Sequence, residues 1–172
     1  MELDLKKYIR DVPDWPKPGV IFKDITTLVR DPAAFKQAID QLAAHYKNRH
    51  VDLVASVEAR GFIFGGALAY TLGAGFVPAR KPGKLPYQKI RAEYALEYGT
   101  DAVEMHVDAI RPGQRVLIFD DVLATGGTII ATADLVKRLG GEVVGVAFLI
   151  DLTFLKGAER LKDYEVFSLM QY

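Results

Sequence analysis

Short apolar runs alternate along this chain with segments in which apolar residues recur every three or four positions. The short runs, bounded by charges and glycines, are typical of buried strands, and the others of core-facing helices. The predicted strands are 53–57, 75–79, 116–119, 142–150 and 164–169. The predicted helices follow Asp31-Pro32, Arg60 and Thr128. Strands that alternate with helices predict an α/β fold, with a mainly parallel sheet flanked by helices.

The first 32 residues interrupt this alternation. A short helix is expected over residues 3–10, but three prolines and a glycine between residues 13 and 19 exclude a regular helix there. Because Trp15 and Phe22 lie in this stretch, we expect it to pack over the core as an arm. We therefore expect a single domain over residues 1–172, with residues 1–32 as a small N-terminal hood and 33–172 as the α/β core.

The clearest chemistry follows the strand at 116–119. Asp120 and Asp121 are predicted to lie where this strand ends, and a turn of small residues then leads into a helix. The turn consists of Ala124, Thr125, Gly126, Gly127 and Thr128. Glycines let backbone N–H groups approach an anion, and the helix start adds unpaired donors. Carboxylates would repel a phosphate but suit hydroxyls, so the predicted ligand resembles a ribose 5-phosphate.

Two further polar segments follow predicted strands. Glu58, Ala59 and Arg60 follow residues 53–57, at the strand edge where open parallel sheets gather their active sites. A basic segment follows residues 75–79 and offers cationic donors for a polyanion. Its cations include Arg80, Lys81 and Lys84. An ion-pairing surface arginine and a solvated charged loop are the structural alternatives for these two segments.

Prolines and a glycine in the basic segment predict a mobile loop at about 81–95. Residues 103–107 alternate between apolar and polar, which predicts a half-buried strand with Glu104 and His106 facing solvent.

Composition narrows the class of protein. The chain has 22 Lys+Arg and 22 Asp+Glu, so charge gives no argument for nucleic acid or an anionic membrane as partner. It has no cysteine, which excludes disulfides, thiolate metal sites and a cysteine nucleophile. No apolar run approaches the roughly 20 residues that span a bilayer, and the N-terminus lacks the apolar core of a signal peptide. We expect a cytoplasmic protein without a membrane or nucleic-acid partner.

The stretch 116–128 resembles the phosphoribosyl-pyrophosphate (PRPP) motif of the type I phosphoribosyltransferases. This resemblance implies that Asp120 and Asp121 hold the ribose hydroxyls and that the 124–128 turn holds the 5-phosphate. Residues 58–60 are similar to the pyrophosphate-binding first loop of that family, in which the arginine matching Arg60 also lies against the base. The family often has Asp-Ser at the first two of these positions.

Four segments are similar to the adenine-specific members of the family: 15–25, 80–84, 94–99 and 151–157. By this resemblance, the backbone of Ile21 recognises the adenine edge and Phe22 stacks on the base. The residues implied to bind pyrophosphate are Arg80, Lys81 and Lys84. Glu97 is implied to face the purine N7 and to assist proton transfer, so Glu97 and Arg60 are the expected catalytic residues.

The resemblance implies conversion of adenine and PRPP to AMP and pyrophosphate in purine salvage, with an oxocarbenium-like transition state. Mg²⁺ is the implied cofactor, carried by PRPP and pyrophosphate without a direct protein ligand, and a homodimer is the implied assembly. Two alternatives remain at this point: a phosphoribosyltransferase for a 6-oxopurine, and a PRPP-binding regulator without catalysis. The hood residues Ile21 and Phe22 argue against the first, and Glu97 with the basic segment favours an enzyme.

Overall fold

The computed structural model describes residues 2–96 and 99–172. The strands in chain order are β1 (Arg10–Pro13), β2 (Ile21–Asp24), β3 (Leu53–Val57), β4 (Gly75–Ala79), β5 (Lys89–Ala95), β6 (Thr100–His106), β7 (Arg115–Leu123), β8 (Glu142–Asp151) and β9 (Val166–Gln171). The α-helices are α1 (Thr26–Arg30), α2 (Pro32–Tyr46), α3 (Arg60–Leu72) and α4 (Gly127–Arg138). Short 3₁₀ helices cover Leu5–Tyr8, Thr153–Leu155 and Gly157–Leu161.

A five-stranded sheet in the order β4-β3-β7-β8-β9 forms the centre of the molecule, and all its neighbouring strands run parallel. Apolar residues cover both faces, because β3, β7 and β8 are near-continuous apolar runs. One face packs against α2 and α3, where Leu42 and Phe64 are fully buried, and the other packs against α4 through Leu135. The α/β prediction with a parallel sheet is confirmed.

Local signals in the sequence set the helix ends. The Asp31 side chain accepts hydrogen bonds from the amides of Ala33 and Ala34, and Pro32 occupies the first turn of α2. At the other end of the core, α4 stops before Gly140, whose φ of +88° is the left-handed conformation that glycine adopts most easily. The start of α2 lies where the sequence predicts it.

Three sequence expectations are wrong in detail. Strand β7 continues to Leu123, because its later residues keep pairing with β8, so Asp120 and Asp121 lie inside the strand rather than after it. Residues 89–95, expected within a loop, form β5 and pair antiparallel with β6.

The third error concerns the outer face of β6. Glu104 is buried, since its backbone pairs with that of Arg80 and its carboxylate accepts the Gly83 amide at 3.1 Å. His106 is half-buried, and the centroid of its ring lies 6.1 Å from that of Tyr87 in an edge-on arrangement. The alternation of polar and apolar residues failed because Glu104 is held by Arg80 and Gly83 of the segment after β4, while Val103 and Met105 pack into the core that includes α4.

The N-terminal segment is more regular than its prolines predict. Strands β1 and β2 pair antiparallel, with Pro13 opposite Ile21 at the hairpin end. The expected short helix is the single 3₁₀ turn at Leu5–Tyr8. Helix α1, which the apolar spacing did not indicate, then connects the hairpin to α2. None of the helices in the described part of the chain is long and apolar enough to span a membrane.

Asp24 fixes this hairpin to α1, which gives a testable pH dependence. Its carboxylate accepts the Thr26 amide at 2.9 Å and also pairs with Arg10. The Thr26 amide first, and then the Thr26 hydroxyl and the Arg10 guanidinium, lower the pKa of Asp24 to about 2. A lowered pKa stabilises the fold above the unfolded pKa of 3.8, and this contribution disappears as the pH falls through about 2.

The Asp24→Asn variant is therefore expected to lose about 2 kcal/mol of unfolding free energy at pH 7. The loss should shrink as the pH falls from 4 towards 2, as measured by urea unfolding across that range. Asp11→Asn is a matched control, because Asp11 belongs to the same hairpin and pairs with Lys23 in an exposed position. A loss of unfolding free energy in Asp24→Asn that does not change with pH would contradict the lowered pKa of Asp24.

Candidate active site

The carboxyl ends of β3, β4, β7 and β8 meet along one edge of the sheet, because these strands are parallel. Four segments leave the sheet at this edge: 58–60, 80–84, 124–128 and 152–161. Open parallel sheets bind their ligands at such an edge. Sequence segments that are up to about one hundred residues apart therefore contribute to one surface.

Asp121 and Arg60 form the centre of this surface. Asp121 is 5% exposed, and its Oδ2 lies 2.7 Å from Nε of Arg60, the first residue of α3. The N–H does not point along this line, and among the described residues Oδ2 has no hydrogen-bond donor. The carboxylate is thus charge-paired with Arg60, and its Oδ2 is a buried acceptor without a donor among the described residues.

Asp120 differs from its neighbour in electrostatic state. Its Oδ1 accepts the Asp121 amide at 2.9 Å. Burial of the carboxyl group, and then the negative charge of Asp121, raise the pKa of Asp120 well above its usual range. Desolvation and the neighbouring carboxylate thus both oppose ionisation of Asp120.

Close packing at the start of α3 brings these groups together. A Cβ atom at Gly61 would lie 3.0 Å from Ser56 Oγ and 3.1 Å from Asp120 Oδ1. Ser56 is fully buried and donates to the Phe119 carbonyl at 3.0 Å, which joins β3 to β7. Glycine therefore lets α3 start close to Asp120 without displacing the Ser56 and Asp120 side chains.

The 124–128 turn forms a small cavity of about 70 Å³ lined mainly by its own residues. Gly126 has a φ of +80° and precedes α4 without a side-chain cap. The first amides of α4 therefore have no side-chain partner at the helix start, where the helix dipole favours an anion. The size and the donor set suit a phosphate-sized group.

The Gly157–Leu161 segment supports this turn from behind. A Cβ at Gly157 would overlap the Ala124 carbonyl oxygen, and a Cβ at Gly126 would lie 3.1 Å from the Gly157 carbonyl. Arg160 donates to the Thr125 carbonyl at 3.0 Å. These supporting residues were not among the predicted site residues, although the Leu-Lys-Gly motif at 155–157 contains the glycine that signals close packing.

The hood reaches the same centre through aromatic contacts. The Arg60 guanidinium lies 4.9 Å from the centroid of the Phe22 ring, and Trp15 meets Phe22 edge-on at 4.5 Å. Ile21 is 55% exposed next to them. A continuous series of contacts therefore links the hood through Phe22 and Arg60 to Asp121 on β7. The half-buried Phe22 ring offers the kind of face on which a flat heterocycle stacks.

Glu58 holds the basic segment rather than pointing away from it. Its carboxylate accepts the Lys81 amide and the Arg80 guanidinium, the latter at 3.3 Å. The Glu58–Ala59 peptide bond is cis. A side chain that is already satisfied by two donors of the basic segment is suited to orienting that segment. Lys84 is exposed.

The Lys81 ammonium contacts the β5–β6 hairpin. It donates to the Tyr94 hydroxyl at 2.7 Å and pairs with the Asp101 carboxylate. The hydrogen bond from Lys81, the largest cause, lowers the pKa of Asp101. The pKa of Lys81 is raised because its bonds to Asp101 and Tyr94 outweigh the opposing effect of burial. Glu97, the predicted proton-transfer residue, lies outside the described residues.

The structure thus brings Phe22, Arg60, Asp120, Asp121 and the 124–128 turn to one edge, with the basic segment beside them. No group of three or more His, Asp or Glu side chains in residues 2–96 and 99–172 is arranged to hold a metal ion.

A parallel sheet with an acidic pair and an anion-binding turn at its carboxyl edge offers a site for a phosphorylated sugar or nucleotide. Comparison with known families specifies the class of protein. The model of the phosphoribosyl transferase domain matches residues 25–171. The chain belongs to the phosphoribosyl transferase family.

Within this family its relatives are adenine phosphoribosyltransferases. The protein of that name from Solibacter usitatus is 61% identical over 169 residues, which cover 98% of both chains. The crystal structure of adenine phosphoribosyltransferase from Thermoanaerobacter pseudethanolicus is 54% identical with a TM-score of 0.96, and 98% of each chain is covered. The Saccharomyces cerevisiae enzyme, solved with an imino-altritol bisphosphate and adenine, is 39% identical with a TM-score of 0.93, and 96% of each chain is covered.

Proposed function

We propose that this enzyme transfers the phosphoribosyl group of PRPP to adenine, forming AMP and pyrophosphate in purine salvage. The observation that supports it most is the contact series from Phe22 through Arg60 to Asp121, because it joins a stacking surface to a hydroxyl-binding carboxylate. The identity of 61% to an adenine phosphoribosyltransferase agrees with this reaction.

The sugar phosphate is held by two elements in this proposal. The 124–128 turn binds the 5-phosphate through the first amides of α4 and the Thr125 and Thr128 hydroxyls. Asp120 and Asp121 accept hydrogen bonds from the ribose hydroxyls. Because the phosphate is bound away from the reacting carbon, its contribution is to orient the sugar.

The leaving pyrophosphate is bound by cations of two segments. We assign this role to the Arg80, Lys81 and Lys84 side chains and to the loop of Glu58, Ala59 and Arg60, in which Glu58 acts by orienting the basic segment. Mg²⁺ would be held by oxygens of PRPP and would supply positive charge to the leaving pyrophosphate. As the bond from ribose C1 to pyrophosphate breaks, the C1–N9 bond to adenine forms, and positive charge grows on the sugar beside Asp121.

The base is bound under the hood. The Phe22 ring stacks on adenine, the Ile21 backbone hydrogen-bonds its edge, and Arg60 lies against it. Glu97 is proposed to assist the proton transfer that accompanies loss of the N9 proton. Its position in the chain supports this role, since it lies between β5 and β6, and Tyr94 of that hairpin packs against Gly127 of the phosphate-binding turn.

The Glu97→Gln variant tests the proton-transfer role. We expect kcat to fall about 10²-fold, within the range for a lost general acid or base, while the Kd for PRPP stays unchanged. Glu93→Gln, a neutralisation on β5 of the same hairpin, is the control. Steady-state kinetics with both variants would refute the role if Glu97→Gln lowered kcat less than threefold.

The Thr128→Ala variant tests the phosphate-binding turn. Loss of one hydroxyl that donates to a charged phosphate is expected to weaken PRPP binding by about tenfold or more, without changing base selectivity. Calorimetric titration with PRPP measures the effect. Thr71→Ala removes a hydroxyl of α3 that bonds only the Ala67 carbonyl, and it should leave the affinity unchanged. Equal PRPP affinity in Thr128→Ala and the unmodified protein would argue against this binding mode.

An activity assay with a panel of nucleobases tests the proposed reaction. The enzyme is incubated with PRPP and Mg²⁺, and with adenine, hypoxanthine, guanine, xanthine, orotate or uracil, and product is measured by chromatography. AMP from adenine alone is expected. Nucleotide from a 6-oxopurine instead would overturn the proposed specificity, and PRPP binding without any product would indicate a regulator.

The division into a hood over residues 1–32 and a core over 33–172, the mobility of the 81–95 segment, the homodimer and the cytoplasmic location stay predictions.

A further inference from the structure

One polar cluster joins Lys81, a proposed pyrophosphate contact, to two residues of the β5–β6 hairpin that have no role in the proposed substrate binding. In it, the Tyr94 hydroxyl donates to Asp101 Oδ2 at 3.1 Å, and Lys81 Nζ donates to both of these residues. Tyr94 and Asp101 are a cross-strand pair, one step before Ala95 and Thr100 at the hairpin end. The Lys81 ammonium therefore ties the segment after β4 to the β5–β6 hairpin.

The two groups that accept from Lys81, the Tyr94 hydroxyl and the Asp101 carboxylate, are held in place by the hairpin itself. Asp101 Oδ1 accepts the Ala102 amide at 2.7 Å, and Oδ2 keeps the Tyr94 hydroxyl if the ammonium leaves. The side chains of Lys81 and Asp101 are 38% and 32% exposed, so water can replace either partner. The cluster is thus built so that Lys81 can depart without leaving an unsatisfied buried group.

The Lys81 ammonium has two possible partners, the Asp101 carboxylate and a pyrophosphate. Their relative strengths favour exchange of the first for the second. A partly exposed pair between one lysine and one carboxylate shifts an equilibrium by a factor of only about five or less. A pyrophosphate carries several negative charges and offers the same ammonium more than one acceptor oxygen. Lys81 therefore has a weak partner in the free protein and a stronger one when an oligophosphate is present.

The ring of Tyr94 extends the connection to the other end of the substrate site. A Cβ at Gly127 would lie 3.1 Å from Tyr94 Cδ2, so the ring rests on the start of α4. The same residue thus touches the phosphate-binding turn with its ring and Lys81 with its hydroxyl. Any ligand that draws Lys81 away loosens the tie between the basic segment and the hairpin.

We propose that Asp101 and Tyr94 are positioning residues that compete with pyrophosphate for the Lys81 ammonium, and so set the affinity for pyrophosphate. This inference rests on the proposed function, in which Lys81 binds pyrophosphate. Substrate binding then has two linked effects: it captures Lys81, and it releases the hairpin from the segment after β4.

The test is calorimetric titration of the full chain with magnesium pyrophosphate. Asp101→Asn is expected to bind it up to about fivefold more tightly than the unmodified protein, and Tyr94→Phe should shift affinity in the same direction by less. AMP is titrated in parallel, and its Kd should not change, because it lacks the pyrophosphate. Weaker or unchanged pyrophosphate binding in Asp101→Asn would overturn the inference, since Asp101 would then be holding Lys81 in its binding position.

A double-mutant cycle separates competition from a general change in charge. In a Lys81→Met background, Asp101→Asn should no longer affect pyrophosphate binding, whereas a long-range charge effect would persist. Glu93→Gln removes an acid of the same hairpin that pairs with Arg91 instead, and it should have no effect. If Lys81→Met binds pyrophosphate as tightly as the unmodified protein, the inference fails. The proposed function is tested separately by formation of AMP from adenine.

Discussion

The Asp121→Asn variant is expected to lower kcat/KM for PRPP by about 10²–10⁴-fold. Asp121 combines burial, an ion pair with Arg60 at 2.7 Å and an unused acceptor oxygen. Each hydrogen bond between a hydroxyl and a charged group contributes about 1.5–3 kcal/mol, and two such bonds to the ribose account for this range. The variant also leaves Arg60 without its counter-charge, although the shape of the side chain is kept.

Asp120→Asn is the matched control for this experiment. Because the pKa of Asp120 is raised well above its usual range, by burial first and by Asp121 second, asparagine mimics its neutral form. We expect a loss of kcat/KM below about tenfold. Measuring both variants by steady-state kinetics at pH 7 tests the assignment, and equal losses would show that the two carboxyl groups are not distinguished by charge.

The same pKa shift predicts a gain in stability for the control. An acid whose pKa is raised in the folded state stabilises the fold below its unfolded pKa of 3.8, and this contribution is lost as the pH rises. Asp120→Asn should therefore have a higher Tm than the unmodified protein at pH 7. The difference should vanish below pH about 4, as thermal unfolding at both pH values would show.

The Gly157→Ala variant is expected to lose about 3 kcal/mol of unfolding free energy and about 10²-fold in kcat/KM. Its Cβ would overlap the Ala124 carbonyl and lie 2.8 Å from Leu123 Cδ1. Either β7 or the turn must then move, and overpacking of this kind costs about 1–3 kcal/mol. A displacement of the phosphate-binding turn by about 1 Å would misplace the sugar relative to the base, which accounts for the loss of activity.

Gly66→Ala on α3 shows what a harmless substitution of glycine does. A Cβ there meets no atom within 4 Å, and alanine is the better helix former by about 1 kcal/mol. This variant should therefore gain stability and keep its activity. Urea unfolding and PRPP titration measure both variants. Normal PRPP affinity in Gly157→Ala would show that the turn does not depend on the segment behind it.

The central sheet was predictable because its signals are local. Strands β3, β7 and β8 are dense apolar runs, and α2 begins at an Asp-Pro cap that fixes its first turn. The acidic pair and the turn at 124–128 were also visible, since charge and glycines follow an apolar strand. What these signals left open was where β7 ends, because pairing with β8 continues through the charged residues.

The supporting contacts of the site were not predictable in the same way. Arg160, Asp101 and Tyr94 are ordinary surface residue types, and they become important only through partners 35, 20 and 13 positions away. Glu104 was assigned to the solvent face from alternation alone, but a neighbouring segment covers it. Tertiary packing determines the burial and the contacts of these residues, and the local spacing of residue types does not indicate them.

The position of β7 in the sheet has a consequence for local opening of the molecule. It lies between β3 and β8, whereas β5 and β6 form a separate two-stranded ribbon. Backbone amides of a strand with partners on both sides exchange with solvent more slowly than those of a strand at the edge of a ribbon. We therefore expect slower exchange at β7, to which the phosphate-binding turn is attached, than at the exposed end of the β5–β6 hairpin. Such a difference would let the hairpin end move while the anchor for the sugar phosphate stays in place.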